Sequence, residues 1–164
     1  MSQQLTIDCF AFAREARVLE RTLPVSALER LHDVLAHRLS EVKFRLQGTM
    51  GAGGKLQLRL SVRGNLALAC QRCLEAVDFV VEIDNLLELV SEDTDLSQEE
   101  LEDDTRDFLP VGGPLEVVAL VEDEILLALP VAPRHEKCGL PGERVAGERI
   151  SPLAALAGFK GKPN

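Results

Sequence analysis

Two cysteines close an alternating apolar run in LACQRCLE, residues 68–75. Cys70 and Cys73 stand three positions apart, a spacing at which two thiolates on a tight turn can face one metal ion. A second close grouping of this kind is His135 and Cys138, in RHEKC. Together the two pairs offer three thiolates and one imidazole, which is a complete tetrahedral ligand set for Zn²⁺.

Two other interpretations of these cysteines stay open from the residues alone. A Cys-x-x-Cys pair can be a redox site, although thioredoxin-like pairs open a helix after a parallel strand, and the segments around Cys70 alternate as antiparallel strands do. Cys70 can also be an ordinary core residue and the others incidental, since free cysteine is often buried. Cys9, the remaining cysteine, is expected in the core or on a strand.

Other residues offer little for catalysis. His32 and His37 lie on or just past a segment with helical spacing, where a histidine is more often exposed or hydrogen-bonded than a catalytic base. The sequence has no P-loop, glycine-rich dinucleotide turn, HExxH motif or nucleophile elbow. We therefore expect a protein that is not an enzyme and has no organic cofactor, with Zn²⁺ as its candidate cofactor.

Negative charge is concentrated in one segment. Residues 91–107, SEDTDLSQEELEDDTRD, hold nine acidic residues and one arginine, so this acidic strap carries −8 of the net charge of −9. We expect the acidic strap to be a flexible, solvated loop. A second acidic run, Glu122, Asp123 and Glu124, is expected on the solvent side of a helix, where it could contact a basic protein.

Basic residues flank the two Cys/His segments. Arg72 lies inside the first cysteine pair, and Arg134 and Lys137 flank His135. If the two segments meet, these three cations form a small patch that can contact phosphates of RNA. The absence of Trp and Tyr, with only six Phe, argues against an RNA-binding surface built on aromatic stacking.

Helical spacing occurs in two longer segments that must position these residues. PVSALERLHDVLAHRL, residues 24–39, has Ser26 and Glu29 placed as a capping box and predicts a first helix. GGPLEVVALVEDEILLALP predicts a second helix, which begins near Pro114 and ends at Pro130.

Period-two alternation marks the segments between the two helices. VKFRLQG, KLQLRLSVRG, NLALAC and VDFVVEI place every second residue on one face, which predicts strands with one buried and one solvated face. Glycines in MGAGGK and RGN predict turns between them. The resulting fold class is α+β, an antiparallel β-meander of four or more strands with two main helices packed on it.

The chain of 164 residues is long enough for one domain. We place this domain at residues 1–138, with the acidic strap included, and a flexible tail at residues 139–164. Within the tail, SPLAALAGFK predicts a short helix at residues 151–158. We expect three residues of this helix to dock on the domain: Pro152, Leu153 and Leu156. No apolar run is long enough to span a bilayer and no secretory signal is visible, so we expect a cytoplasmic protein without membrane contacts.

These segments together resemble a known family. LACQRCLEAV, LEVVALVEDEILLALPVAPRHEKC and SPLAALAGFK are similar in order and spacing to the YceD-like family, the large ribosomal RNA subunit accumulation proteins, formerly a domain of unknown function. The similarity is densest in residues 56–79 and 114–138. The tail departs from the family pattern, because Ser151, Pro152 and Leu153 stand where relatives often begin with Asn-Pro-Phe.

The resemblance implies a bacterial, cytoplasmic, non-enzymatic factor in large ribosomal subunit biogenesis that supports accumulation or processing of 23S ribosomal RNA. Relatives' genes often lie beside a large-subunit ribosomal protein gene. The implied partners are therefore ribosomal RNA or a pre-ribosomal particle, and a basic ribosomal protein or another assembly factor. The alternatives are an RNA-processing enzyme and a structural zinc module that scaffolds a protein partner. The family supplies no catalytic residues to carry over. Its cysteines correspond to Cys70, Cys73 and Cys138, with His135 before the last.

Overall fold

Five strands that follow one another in the chain form one sheet in the same order, seen in a computed structural model that describes residues 5–103 and 105–139. The strands are β2 (Val18–Pro24), β3 (Glu41–Met50), β4 (Leu56–Ala69), β5 (Ala76–Ser91) and β6 (Asp107–Val111). Strands β2 to β5 pair antiparallel with their neighbours in sequence, and β6 pairs parallel with the end of β5. The predicted α+β class is confirmed, and the predicted antiparallel meander is confirmed in part, because β6 adds a parallel edge strand to it.

The alternation in the strand segments separates a buried face from a solvated one. On β3, Val42, Phe44 and Leu46 are fully buried, whereas Lys43 and Arg45 between them are exposed. The glycine turn predicted at MGAGGK is present, with Gly53 and Gly54 at positive φ.

The prediction of a turn at RGN, residues 63–65, is wrong. Gly64 lies inside β4 and pairs with Val42 on one side and Val81 on the other. A Cβ at this position would lie 2.8 Å from the Glu41 carbonyl oxygen. Glycine is therefore needed there for the close approach of β3, not for a change of direction.

Three helices and a two-stranded ribbon complete the described chain: β1 (Thr6–Ile7), α1 (Cys9–Arg14), α2 (Gln98–Leu101), β7 (Leu115–Glu116) and α3 (Val117–Ala128). Strand β1 pairs antiparallel with β7. Helix α1 follows β1 and α3 follows β7 directly, so the ribbon joins the starts of the two helices. Both helices contribute buried residues to one hydrophobic core with the sheet, among them Phe12 of α1 and Ile125 of α3.

The prediction of a first helix at residues 24–39 is wrong. The segment forms two short 3₁₀ turns, Val25–Ala27 and Glu29–Leu31, and Ser26 makes no capping hydrogen bond. The apolar residues Val25, Leu28 and Leu31 are fully buried at a spacing of three, which suits the three-residue period of a 3₁₀ turn. Just beyond them, backbone hydrogen bonds run from residues 34–36 to the end of β4, so tertiary contacts override the helix propensity.

The second predicted helix is confirmed, but its solvent side was wrongly assigned. Only Asp123 of the acidic run is exposed, while Glu122 and Glu124 are buried. Glu122 accepts a hydrogen bond of 2.6 Å from the Arg30 backbone N–H, and Glu124 accepts one from the Asn85 side chain. These distant partners satisfy the carboxylates, which local periodicity could not foresee.

The acidic strap contains regular structure. Helix α2 has a capping box in which Ser97 and Glu100 bond to each other's backbone N–H groups. Beyond it, Arg106 donates a hydrogen bond of 2.7 Å to Glu88 on β5, and Lys55 forms an ion pair of 2.9 Å with the same carboxylate. Glu88 therefore joins the end of the strap to the turn between β3 and β4.

Replacing Glu88 with glutamine is expected to lower the free energy of unfolding by about 1 kcal/mol at neutral pH. Burial raises the pKa of Glu88, but hydrogen bonds from Arg106 and Lys55 outweigh it and hold that pKa below the ordinary value of 4.5. A lowered folded-state pKa stabilises the protein above pH 4.5, and this contribution is lost as the pH falls through the folded value. The melting temperatures of wild type and Glu88→Gln should therefore differ at neutral pH and converge as the pH falls below 4.5. The matched control is Glu82→Gln, because Glu82 is exposed and its pair with Arg63 is loose, at 3.5 Å; an equal loss in both variants would contradict the prediction.

Two further expectations concern membrane contacts and the C-terminal tail. Across the described residues, none of the helices is sufficiently long and apolar to cross a membrane. The tail residues Pro152, Leu153 and Leu156, and the helix predicted at residues 151–158, lie outside the described residues.

Candidate metal centre

The first Cys/His segment is a tight turn between β4 and β5. The Cys70 N–H donates to the Glu75 carbonyl and the Leu74 N–H donates to the Cys70 carbonyl, both at 2.9 Å. Leu74 adopts a positive φ of 65°, which reverses the chain within a few residues. The turn places Cys73 beside Cys70, as the spacing predicted.

The second segment reaches this turn after α3. The helix ends at Ala128, and the following loop runs back to the β4–β5 turn, where the Gln71 N–H donates to the Pro133 carbonyl at 2.8 Å. This backbone bond holds the loop beside the turn, and it brings His135 and Cys138 to the first cysteine pair. Nothing in the local sequence of Gln71 or Pro133 signals this contact.

The four side chains converge on one point. Their ligand atoms, the sulfurs of Cys70, Cys73 and Cys138 and a ring nitrogen of His135, all lie within 4.8 Å of one another. The two sulfurs of Cys70 and Cys138 are 3.7 Å apart, and the Cys73 sulfur is 3.3 Å from His135 Nδ1. Zn–S bonds of about 2.3 Å in a regular tetrahedron give sulfur–sulfur edges of about 3.8 Å. The group can therefore hold one tetrahedral metal ion.

The imidazole of His135 is oriented for ligation. Its Nε2 lies 2.9 Å from the Ala76 carbonyl oxygen, which can only accept, so Nε2 carries the proton. Nδ1 then has its lone pair free and directed at the Cys73 sulfur. A ligating histidine in metal sites is oriented by such a hydrogen bond on its second nitrogen.

The surroundings of Cys70 favour its thiolate. Burial raises the pKa of this thiol, but the backbone N–H groups of Cys73, Arg72 and His135 outweigh it and lower the pKa to about 5. The Arg72 N–H lies 3.4 Å from the Cys70 sulfur. A thiolate at this position is what a soft metal ion requires.

The geometry weakens the other interpretations of the cysteines. The pair follows an antiparallel strand and opens no helix, unlike a thioredoxin-like pair, and the convergence of four ligand side chains argues that Cys70 is not only a core residue. Cys9 is fully buried in the core on α1, as expected, and burial raises the pKa of its thiol to about 11.

The three predicted cations have different positions at this site. Arg72 is half-buried and its Nη1 donates to the Cys138 carbonyl at 3.1 Å, so it fastens the second segment to the first. Arg134 and Lys137 are exposed on the loop that carries His135. Of the acidic run, Asp123 pairs with Arg30 on the surface.

The fold and the site define an α+β protein in which a Cys₃His group joins a strand turn to the loop after a helix. Comparison with known families matches residues 58–160, more than half of the chain, to "Large ribosomal RNA subunit accumulation protein YceD". The chain belongs to the YceD family. It is also 26% identical, over 96% of each chain, to the protein of that name from Haemophilus influenzae. No solved structure matches it at a significant level.

Proposed function

We propose that this protein is a non-enzymatic, cytoplasmic factor in large ribosomal subunit biogenesis that supports the accumulation of 23S ribosomal RNA in bacteria. The observation that carries this proposal is the family match over residues 58–160, which contains β5, α3 and all four Cys/His residues. Deleting the gene is expected to lower the ratio of 23S to 16S ribosomal RNA, and the gene on a plasmid should restore it. An unchanged ratio in the deletion strain would contradict the proposal.

The non-enzymatic part of the proposal is supported by the burial of two carboxylates of the acidic run, Glu122 and Glu124. A metal-dependent nuclease needs carboxylates grouped on a rigid, accessible face. Glu122 and Glu124 are buried and hydrogen-bonded to the Arg30 backbone and to Asn85, so they are not available for that role. The purified protein is therefore expected to leave precursor ribosomal RNA intact in the presence of Mg²⁺, and cleavage at a defined site would overturn this part alone.

We also propose that the Cys₃His group binds Zn²⁺ as a structural ion. Three thiolates and one imidazole fill a tetrahedral shell with no position left for water or substrate, as in structural zinc sites. Thiolate ligands disfavour Mg²⁺ and Ca²⁺, which prefer oxygen. When bound, the ion supplies no chemistry beyond cross-linking the β4–β5 turn to the loop after α3. Elemental analysis should find about one zinc per chain.

Arg134 and Lys137 are proposed to contact phosphates of ribosomal RNA. Both are exposed beside the metal site, whereas Arg72 is engaged with Cys138. The double change to glutamate is expected to weaken binding to a labelled 23S fragment and to lower the slope of log affinity against log salt by about 2. Arg21→Glu, at an exposed position of β2, is the matched control. An unchanged salt slope in the double variant would remove these residues from the RNA contact.

A further inference from the structure

Most of strand β5 has an open edge. Of its sixteen residues, 76–88 pair with β4 on one side, but β6 covers the other side only from Leu87 onward. Within the described chain, residues 76–86 therefore have no partner strand on that second side. An open edge of this length is a template for another extended segment.

Hydrogen bonds at the end of β4 show which backbone groups of β5 face this edge. Ala67 and Ala69 bond outward to residues 34–36, so their backbone groups point away from their β5 partners Asp78 and Ala76. In an antiparallel pair, the residues whose backbone groups point away from the partner strand alternate along the strand. Val80, Glu82 and Asp84 therefore point their backbone groups away from β4, as Ala76 and Asp78 do. Their N–H and C=O groups therefore point to the open side. The Ala76 carbonyl confirms the direction, because His135 Nε2 reaches it from there.

A groove of about 460 Å³ lies beside this edge, between β5, the start of β6 and the C-terminal half of α3. Four carboxylate residues line it and no lysine or arginine does: Glu82, Asp84, Asp107 and Glu124. The carboxylate of Asp84 is paired with Arg59, and Glu124 is buried and hydrogen-bonded to Asn85. The available negative charge among the described groove residues therefore comes from Asp107, which is exposed, and from Glu82, whose pair with Arg63 is loose at 3.5 Å. Leu127, in the wall of the groove, is 81% exposed. The groove thus combines unpaired backbone groups, two available carboxylates and an apolar wall in which Leu127 is the most exposed side chain.

We propose that the open edge of β5 binds an extended, lysine- or arginine-rich segment of a partner protein by β-strand addition. Backbone hydrogen bonds to Val80, Glu82 and Asp84 hold the segment, the carboxylates of Glu82 and Asp107 select its basic side chains, and Leu127 takes an apolar one. RNA does not fit, because the carboxylates of Glu82 and Asp107 repel phosphates. The inference rests on the proposed function, in which a pre-ribosomal particle supplies basic protein segments.

The test uses the full chain and a labelled peptide of about ten residues that alternates lysine with valine, a strand-length probe. Val80→Pro removes one outward N–H without touching the bonds between β4 and β5. Its matched control is Val80→Thr, which keeps the N–H at the same exposed position. We expect Val80→Pro to weaken binding at least tenfold and Val80→Thr to leave it unchanged. Glu82→Lys should also weaken binding, unlike Glu41→Lys at an exposed position of β3, and a peptide with glutamate in place of lysine should not bind.

Equal peptide affinity in Val80→Pro and wild type, with the fold intact by circular dichroism, would overturn the proposal. So would slow amide exchange at Val80 and Glu82 in the free protein, because the edge would then already be covered by the chain itself or by a second copy. Restoration of the 23S ratio separates the two proposals. If wild type restores it in the deletion strain and Val80→Pro does so equally, the edge proposal fails and the proposed function stands. If wild type does not restore the ratio, the proposed function itself fails.

Discussion

Replacing Cys73 with serine is expected to abolish binding of the proposed Zn²⁺ and to lower the melting temperature by about 6–12 °C. The sulfur of Cys73 lies 3.3 Å from His135 Nδ1, and without it the tetrahedral shell is open. Structural zinc sites contribute their binding energy to folding, so losing one of four ligands should cost about 3 kcal/mol or more. For a chain of this size each kcal/mol corresponds to about 2–4 °C. Elemental analysis and calorimetry on the same samples measure both effects.

Cys9→Ala is the matched control for the metal. Cys9 is buried on α1 and belongs to the core cluster, not to the Cys₃His group, so its replacement should leave the zinc content unchanged. A chelator should lower the melting temperature of wild type toward that of Cys73→Ser and leave Cys73→Ser unaffected. If wild type contains no zinc and Cys73→Ser has the same melting temperature as wild type, the proposed metal site is disproved.

Replacing Gly48 with alanine is expected to lower the free energy of unfolding by about 2–3 kcal/mol. Helix α1 lies directly on β3 at this residue. A Cβ there would stand 2.4 Å from the Phe12 carbonyl oxygen and 2.6 Å from the Ala13 Cα, both backbone atoms that cannot rotate away. The whole helix would have to shift, and with it the buried ring of Phe12. Urea titration should show the loss as a lower midpoint at an unchanged slope.

Gly113→Ala controls for the removal of glycine itself. A Cβ at Gly113 meets nothing within 4 Å, so alanine should be neutral or slightly stabilising through the unfolded chain. An equally small effect at Gly48 and Gly113 would show that α1 does not rest on β3 at this point.

The strands and the site ligands could be predicted because their signals are local. Alternation in the segments around Phe44 and Leu60 identified the buried face, and the spacing of Cys70 and Cys73 identified a two-ligand turn. The pairing of that turn with His135 and Cys138 was also predicted, because few other residues offered the same chemistry. Strand β2 gave no such signal, since only Leu19 and Leu23 of its residues are even partly buried.

The sequence by itself determined the antiparallel strands of the meander, the long helix α3 and the identity of the four candidate ligands. Only the tertiary structure decided that 3₁₀ turns form within residues 24–39, that Glu122 and Glu124 are buried, and that no other described strand pairs with one edge of β5 over residues 76–86. The reason is physical. Periodicity records which side of a segment avoids water, whereas hydrogen-bond partners and strand neighbours come from segments far away in the chain, whose positions no local pattern contains.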